Sequence, residues 1–118
     1  MKPLVEVDDV VPASADEVFA RIAGFLQAQQ YNPGFEMDPE RGLIAQQGGW
    51  WYRGEYLVVD DPAGARVTHR VYNVASRGRW AVPLANRFFA GFDGRVRESF
   101  DRMMGDVARS IRDRRTLS

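Results

Sequence analysis

Tyr52-Arg53-Gly54-Glu55-Tyr56-Leu57-Val58-Val59-Asp60-Asp61-Pro62-Ala63-Gly64-Ala65-Arg66-Val67-Thr68-His69-Arg70-Val71-Tyr72-Asn73 holds two alternating runs around one turn. Asp61-Pro62-Ala63-Gly64 places Pro and Gly where a type I turn favours them. Pairing Asp60 with Ala65 sets Val58 against Val67, Tyr56 against His69, Gly54 against Val71 and Tyr52 against Asn73. Continued outward, Trp50 meets Ala75. The opposite face pairs Val59 with Arg66, Leu57 with Thr68, Glu55 with Arg70 and Arg53 with Tyr72. Opposite charges meet on that second face, while apolar and aromatic groups collect on the first. A slip of one residue would mix charges into the apolar set, so polarity and turn select the same register.

Upstream, Leu43–Gln47 joins the strand beginning at Trp50 across Gly48-Gly49, a two-residue hairpin signal. That turn length puts Leu43, Ala45 and Gln47 on the apolar face. A short segment, Phe35-Glu36-Met37, precedes it. At the N-terminus Leu4–Asp8 alternates with Val5 and Val7 inward, and Pro12 stops the run. Ser14 stands three residues before Glu17, a capping box that satisfies two backbone donors of a first helical turn. Val18, Ile22, Phe25 and Leu26 follow at helical spacing, which predicts a helix over Ala15–Gln29, broken by Tyr31-Asn32-Pro33-Gly34.

Downstream, Phe88, Phe92, Val96, Phe100, Met103, Val107 and Ile111 recur at steps of three and four, so an amphipathic helix is expected from about Pro83 to Arg114. Glu98/Arg102 and Arg109/Asp113 read as ion pairs on its far side. Gly91 and Gly94, flanking Asp93, weaken its start. Ser76 to Val82 is too short for two further strands, so about five or six strands are expected in all.

The chain has 118 residues, enough for one domain spanning 1–118 with its own core. Sixteen basic and sixteen acidic residues cancel, so no overall field favours a polyanion and nucleic acid is not an expected partner. The arginines near the C-terminal end suit the helix dipole. With no cysteine, disulfides, thiolate nucleophiles and zinc–thiolate sites are excluded. Asp8-Asp9 and Asp60-Asp61 lack a third ligand cluster, so no metal is expected, and no other cofactor either. No run approaches the roughly 20 apolar residues a membrane span needs, and Met1 to Val11 does not read as a signal peptide. A cytoplasmic protein is the expectation.

Strand, capped helix, antiparallel strands and a long last helix bury all their apolar faces at once when a curved sheet wraps the last helix. The expected class is therefore α+β. The pattern resembles the helix-grip fold of the SRPBCC superfamily, which includes START lipid-transfer domains, pollen-allergen-type proteins and polyketide cyclases. The likeness rests on Val10-Val11-Pro12-Ala13-Ser14-Ala15-Asp16-Glu17-Val18-Phe19, on Gly54-Glu55-Tyr56, on Thr68-His69-Arg70-Val71-Tyr72-Asn73 and on the terminal helix. Superfamily members commonly have about seven strands and often a second paired helix. By that measure the present chain resembles a short member, with sheet edges that a homodimer could cover.

The apolar sheet face carries Trp50, Tyr52, Tyr56, His69 and Asn73, with Gly54 leaving room among them. Phe92, Phe100 and Met103 complete the lining from the helix. Rings bearing phenol, imidazole and amide groups suit a small hydrophobic molecule with a few oxygens. Non-catalytic binding of such a ligand between sheet and helix is the first reading. The resemblance implies a second, a cyclase or aromatase in which His69, the only histidine, and Tyr56 exchange protons. A third is a protein-interaction or self-associating module. Glu55 and Arg70 read as a cross-strand ion pair.

Overall fold

The computed structural model describes residues 3–28, 34–48, 52–73 and 92–117. Its elements run β1 (Val5–Val11), α1 (Ala15–Gln27), β2 (Glu36–Asp38), β3 (Leu43–Gly48), β4 (Tyr52–Asp61), β5 (Gly64–Asn73) and α2 (Phe92–Leu117). The five strands form one antiparallel sheet in the order β1-β5-β4-β3-β2. Both helices pack on one of its faces, which is the helix-grip arrangement. Trp50, Pro83, Phe88 and Gly91 lie outside the described residues.

The central hairpin has the register its polarity dictates. Asp60 pairs with Ala65, Tyr56 with His69 and Tyr52 with Asn73. Pro62 and Ala63 span the turn, and the Asp61 carboxylate accepts the Ala63 amide at 2.9 Å. Strand β1 adds to the far side of β5, setting Val5, Val7 and Val11 opposite Val71, His69 and Ala65. All three valines are buried.

Helix α1 begins where its cap predicts. The Ser14 hydroxyl accepts the Glu17 amide at 3.2 Å, satisfying one of the donors a helix start leaves unpaired. Val18, Ile22 and Leu26 are buried, but Phe25 is 39% exposed, so the core-facing position predicted for it is corrected. Along α2 the buried line is Phe100, Met104, Val107 and Ile111, with Val96 and Met103 half-buried beside it.

Two further expectations are corrected. Gly48 pairs with Tyr52, so three residues rather than two separate the last pair of β3 and β4. One extra residue reverses the faces of β3. Ile44 and Gln46 therefore join the inner face beside Tyr56 and Gly54, while Leu43, Ala45 and Gln47 face outward. Ala45 is buried even so. Its register partners are Glu36 and Glu55, and Arg53 bridges those two carboxylates at 3.6 and 3.0 Å, which lays its side chain over Ala45.

The other correction concerns Arg70. It is in register with Glu55, yet its guanidinium pairs with Glu6 on β1 at 3.2 Å while Glu55 takes Arg53. Arg66 likewise joins Asp8 at 2.7 Å to Asp61 at 3.2 Å. The outer face of the sheet is thus a lattice of paired, half-exposed charges, whose attraction water screens. Among the described residues no helix is long and apolar enough to cross a membrane.

Candidate functional site

Register decides what faces α2. One row across the sheet reads Val7, His69, Tyr56, Ile44, and the next reads Val5, Val71, Gly54, Gln46. Where α2 crosses these rows, Phe100 comes down on His69. The imidazole stacks on Tyr56, with centroids 4.1 Å apart and planes at 15°, and lies nearly parallel to Phe100 at 5.9 Å and 10°. Three rings form one pile from sheet to helix.

His69 is 5% exposed. Its Nδ1 lies 3.0 Å from the carbonyl of Glu55. A carbonyl only accepts, so Nδ1 carries the proton and Nε2 keeps a lone pair. Among the described residues nothing hydrogen-bonds Nε2. Burial pushes the imidazole pKa below its ordinary 6.5, and the Glu55 carbonyl opposes this by favouring the charged form. The ring is neutral at pH 7.

This state has a measurable consequence. Above pH 6.5 neither the folded nor the unfolded chain protonates the imidazole, and stability is at its full value. Below 6.5 the unfolded chain takes up a proton that the folded chain refuses, so stability falls until the lower folded pKa is reached. The expected slope approaches, at most, about 1.4 kcal/mol per pH unit. Urea midpoints between pH 7 and 5 should show the decline in the wild type and lose it in His69→Gln. Equal slopes in the two proteins would assign the effect to other groups.

Between the ring pile, the end of α1 and the first turns of α2 lies a cleft of about 470 Å³. Phe25 and Leu26 line it from α1, and Gln46, Tyr56 and His69 from the sheet. Helix α2 supplies Arg95, Val96, Ser99, Phe100, Arg102, Met103 and Asp106. Gly54, beside Gln46 in the register, adds no side chain to the inner face. The Gln46 side-chain nitrogen is buried with no hydrogen-bond partner among the described residues. An unused buried amide costs on the order of 1–3 kcal/mol. It is a group that a bound oxygen could satisfy.

Of the residues expected to bind ligand, Tyr56, His69, Phe100 and Met103 come together here. Tyr52 and Asn73 pair at the end of the hairpin and Phe92 opens α2, but their side chains, like all of Trp50, are outside the described residues. Gln46 escapes a reading of the sequence because the turn count reverses the β3 faces. The polar residues of α2 have a legible signal: Arg95, Ser99, Arg102 and Asp106 recur at steps of four, three and four beside the apolar line. They read as a solvated face because sequence does not reveal a cleft beneath them.

The chain shares its fold with a known structure. TTHA0849 from Thermus thermophilus superposes with a TM-score of 0.61, covering 90% of this chain and 97% of its own at 12% identity. At that identity the likeness with TTHA0849 establishes architecture alone. No protein-family model and no curated protein matches the chain.

Among the described residues no three His, Cys, Asp or Glu side chains gather as a metal site. Asp8 and Asp61, one from each of the two Asp pairs, are held by Arg66.

Proposed function

We propose that the protein binds a small, largely apolar molecule in the cleft between sheet and α2, without chemistry on it. The observation that carries this reading is the cleft itself, built on the Tyr56–His69–Phe100 pile. Its volume of about 470 Å³ falls within the range typical of small-molecule sites, roughly 300–1,000 Å³. Phe25, Leu26, Val96, Phe100 and Met103 give burial for affinity, and the polar groups that share the lining, Gln46 and His69 among them, give direction for specificity. The resemblance to SRPBCC helix-grip proteins supports the same reading. A cytoplasmic setting belongs to the proposal, since a chain without cysteine gains nothing from an oxidising compartment.

The uncharged fluorophore phenylnaphthylamine tests it. Saturable binding with one site per chain and a Kd of roughly 1–100 μM is expected. Ser99→Trp, at an exposed helix position on the cleft wall, should abolish it while leaving the circular dichroism spectrum unchanged. Absence of saturable binding, or equal binding by the Trp variant, would overturn the proposal.

Proton transfer between His69 and Tyr56 is less well supported by the same rings. They meet face to face, so the phenol hydroxyl does not engage an imidazole nitrogen. Association through sheet edges has little support either. The β1 edge carries Glu6, Asp8 and Asp9, and β2 is three residues long, features that discourage strand addition.

A further inference from the structure

We infer that the ligand carries an anionic group, a carboxylate or its equivalent, held at the mouth of the cleft by Arg95 and Arg102. The inference rests on the binding proposal above and specifies the class of molecule.

Arg41, Arg53, Arg66, Arg70 and Arg109 each lie within 4 Å of a carboxylate. Arg95 and Arg102 make no ion pair or hydrogen bond to any described residue. For Arg102 this is not for want of partners. Glu98 stands four residues before it and Asp106 four after, both at helical contact spacing, and Glu before Arg is the favoured order. The expected Glu98/Arg102 pair does not form, and Asp106 turns instead to Arg109 at 3.5 Å. Arg102 lines the cleft.

Arg95 and Arg102 share one helical stripe with Ser99 between them. Seven residues at 1.5 Å rise separate the two arginines by about 10 Å along the axis, a span that long guanidinium side chains close around one anionic group. Such a group would receive charge-assisted hydrogen bonds from both, with the Ser99 hydroxyl as a further donor. The lining's only carboxylate, Asp106, is already partnered by Arg109, so the cleft is locally positive in a chain whose net charge is zero.

The apolar part of the cleft lies beside these donors. Phe25, Val96, Phe100 and Met103 offer a wall for an aromatic or acyl body. Deeper, the unused Gln46 amide and His69 Nε2 suit a second polar substituent. The arrangement fits an amphiphile whose charged end stays at the water boundary, so the anion need not be fully desolvated.

Two fluorophores with one apolar body test this: anilinonaphthalene sulfonate, which is anionic, and phenylnaphthylamine, which is not. The wild type should bind the sulfonate about tenfold more tightly at low ionic strength, a preference that shrinks as salt is raised. In Arg95→Gln/Arg102→Gln the preference, read as the ratio of the two affinities in the same variant, should fall to within about twofold. Equal wild-type affinities, or a preference that survives the double substitution, would overturn the inference and leave the binding proposal standing. Failure of both fluorophores to bind would overturn both. Displacement of the sulfonate by naphthoate or by octanoate would support the inference and distinguish an aromatic from an acyl ligand.

Discussion

Phe100→Ala is expected to cost about 3–5 kcal/mol of folding stability. Phe100 is 2% exposed and sits on the row of α2 that reaches the sheet centre. Its ring covers His69, which in turn covers Tyr56, so truncation removes the top of a three-ring pile. The neighbouring backbone belongs to a sheet and a helix that cannot collapse into the space, and the vacated volume opens into the existing cleft. For a domain whose total stability is of the order of 5–15 kcal/mol, the loss takes a large share. Urea unfolding should show a lowered midpoint at constant m value, which separates lost stability from a changed denatured state. Water admitted above His69 also weakens the desolvation that lowers its pKa, so the acid-induced decline should become shallower in the same variant. Phe100→Leu, which keeps most of the volume, should cost about 1.5 kcal/mol or less. A loss below about 1 kcal/mol for Phe100→Ala would mean that α2 is held to the sheet elsewhere.

The hairpin that builds the pile is the part of the fold most open to sequence reading, and the reason is physical. Between Gly54 and Val71 the inward positions are apolar, aromatic or the lone histidine except Asp60 beside the turn, and the outward ones are charged or polar except Leu57, Val59 and the turn's Gly64. A wrong register would be visible as a buried charge. Strand β3 offers no such test, because Leu43 and Ala45 on one face match Ile44 on the other. Its orientation rests on counting turn residues, and a single residue exchanges the faces. Arg70 departs from expectation for another reason. A central strand has two neighbours, and nothing in the sequence places β1 beside β5, so Glu6 does not come into competition with Glu55.

The site is legible in proportion to how much of it the hairpin supplies. Tyr56 and His69 follow from register, and Phe100 and Met103 follow from helical spacing. Gln46 depends on β3. Arg95 and Arg102 depend on which side of α2 adjoins open space, a property of three elements together. Periodicity identifies the apolar stripe of a helix, but the rows that flank it become wall or surface only once α1 is in place.

The second large effect concerns backbone geometry. Gly64→Ala is expected to destabilise the protein by about 3 kcal/mol or more, whereas Gly105→Ala should stabilise it by about 0.5–1 kcal/mol. Pro62 holds a negative φ, so the hairpin turn cannot adopt the primed types that match strand twist, and the chain rejoins β5 at Gly64 with φ of +138°. An alanine there is strained on its own account. Its Cβ would also stand 2.1 Å from the Val11 carbonyl oxygen, 2.8 Å from the Pro12 Cα and 2.9 Å from the Ala13 nitrogen. All three are backbone atoms at the junction of β1 and α1, where the Ala13 amide is tied to Val11 and Ser14 caps the helix. Relief therefore requires moving the β1 edge or the start of α1, and either shift disturbs buried Val11 and Val18. Gly105 lies exposed within α2 with nothing inside 4 Å of an added Cβ, so alanine there only restricts the unfolded chain. The two midpoints should move in opposite directions from the same chemical change, and a neutral Gly64→Ala would show that the β1–α1 junction yields where the packing says it cannot.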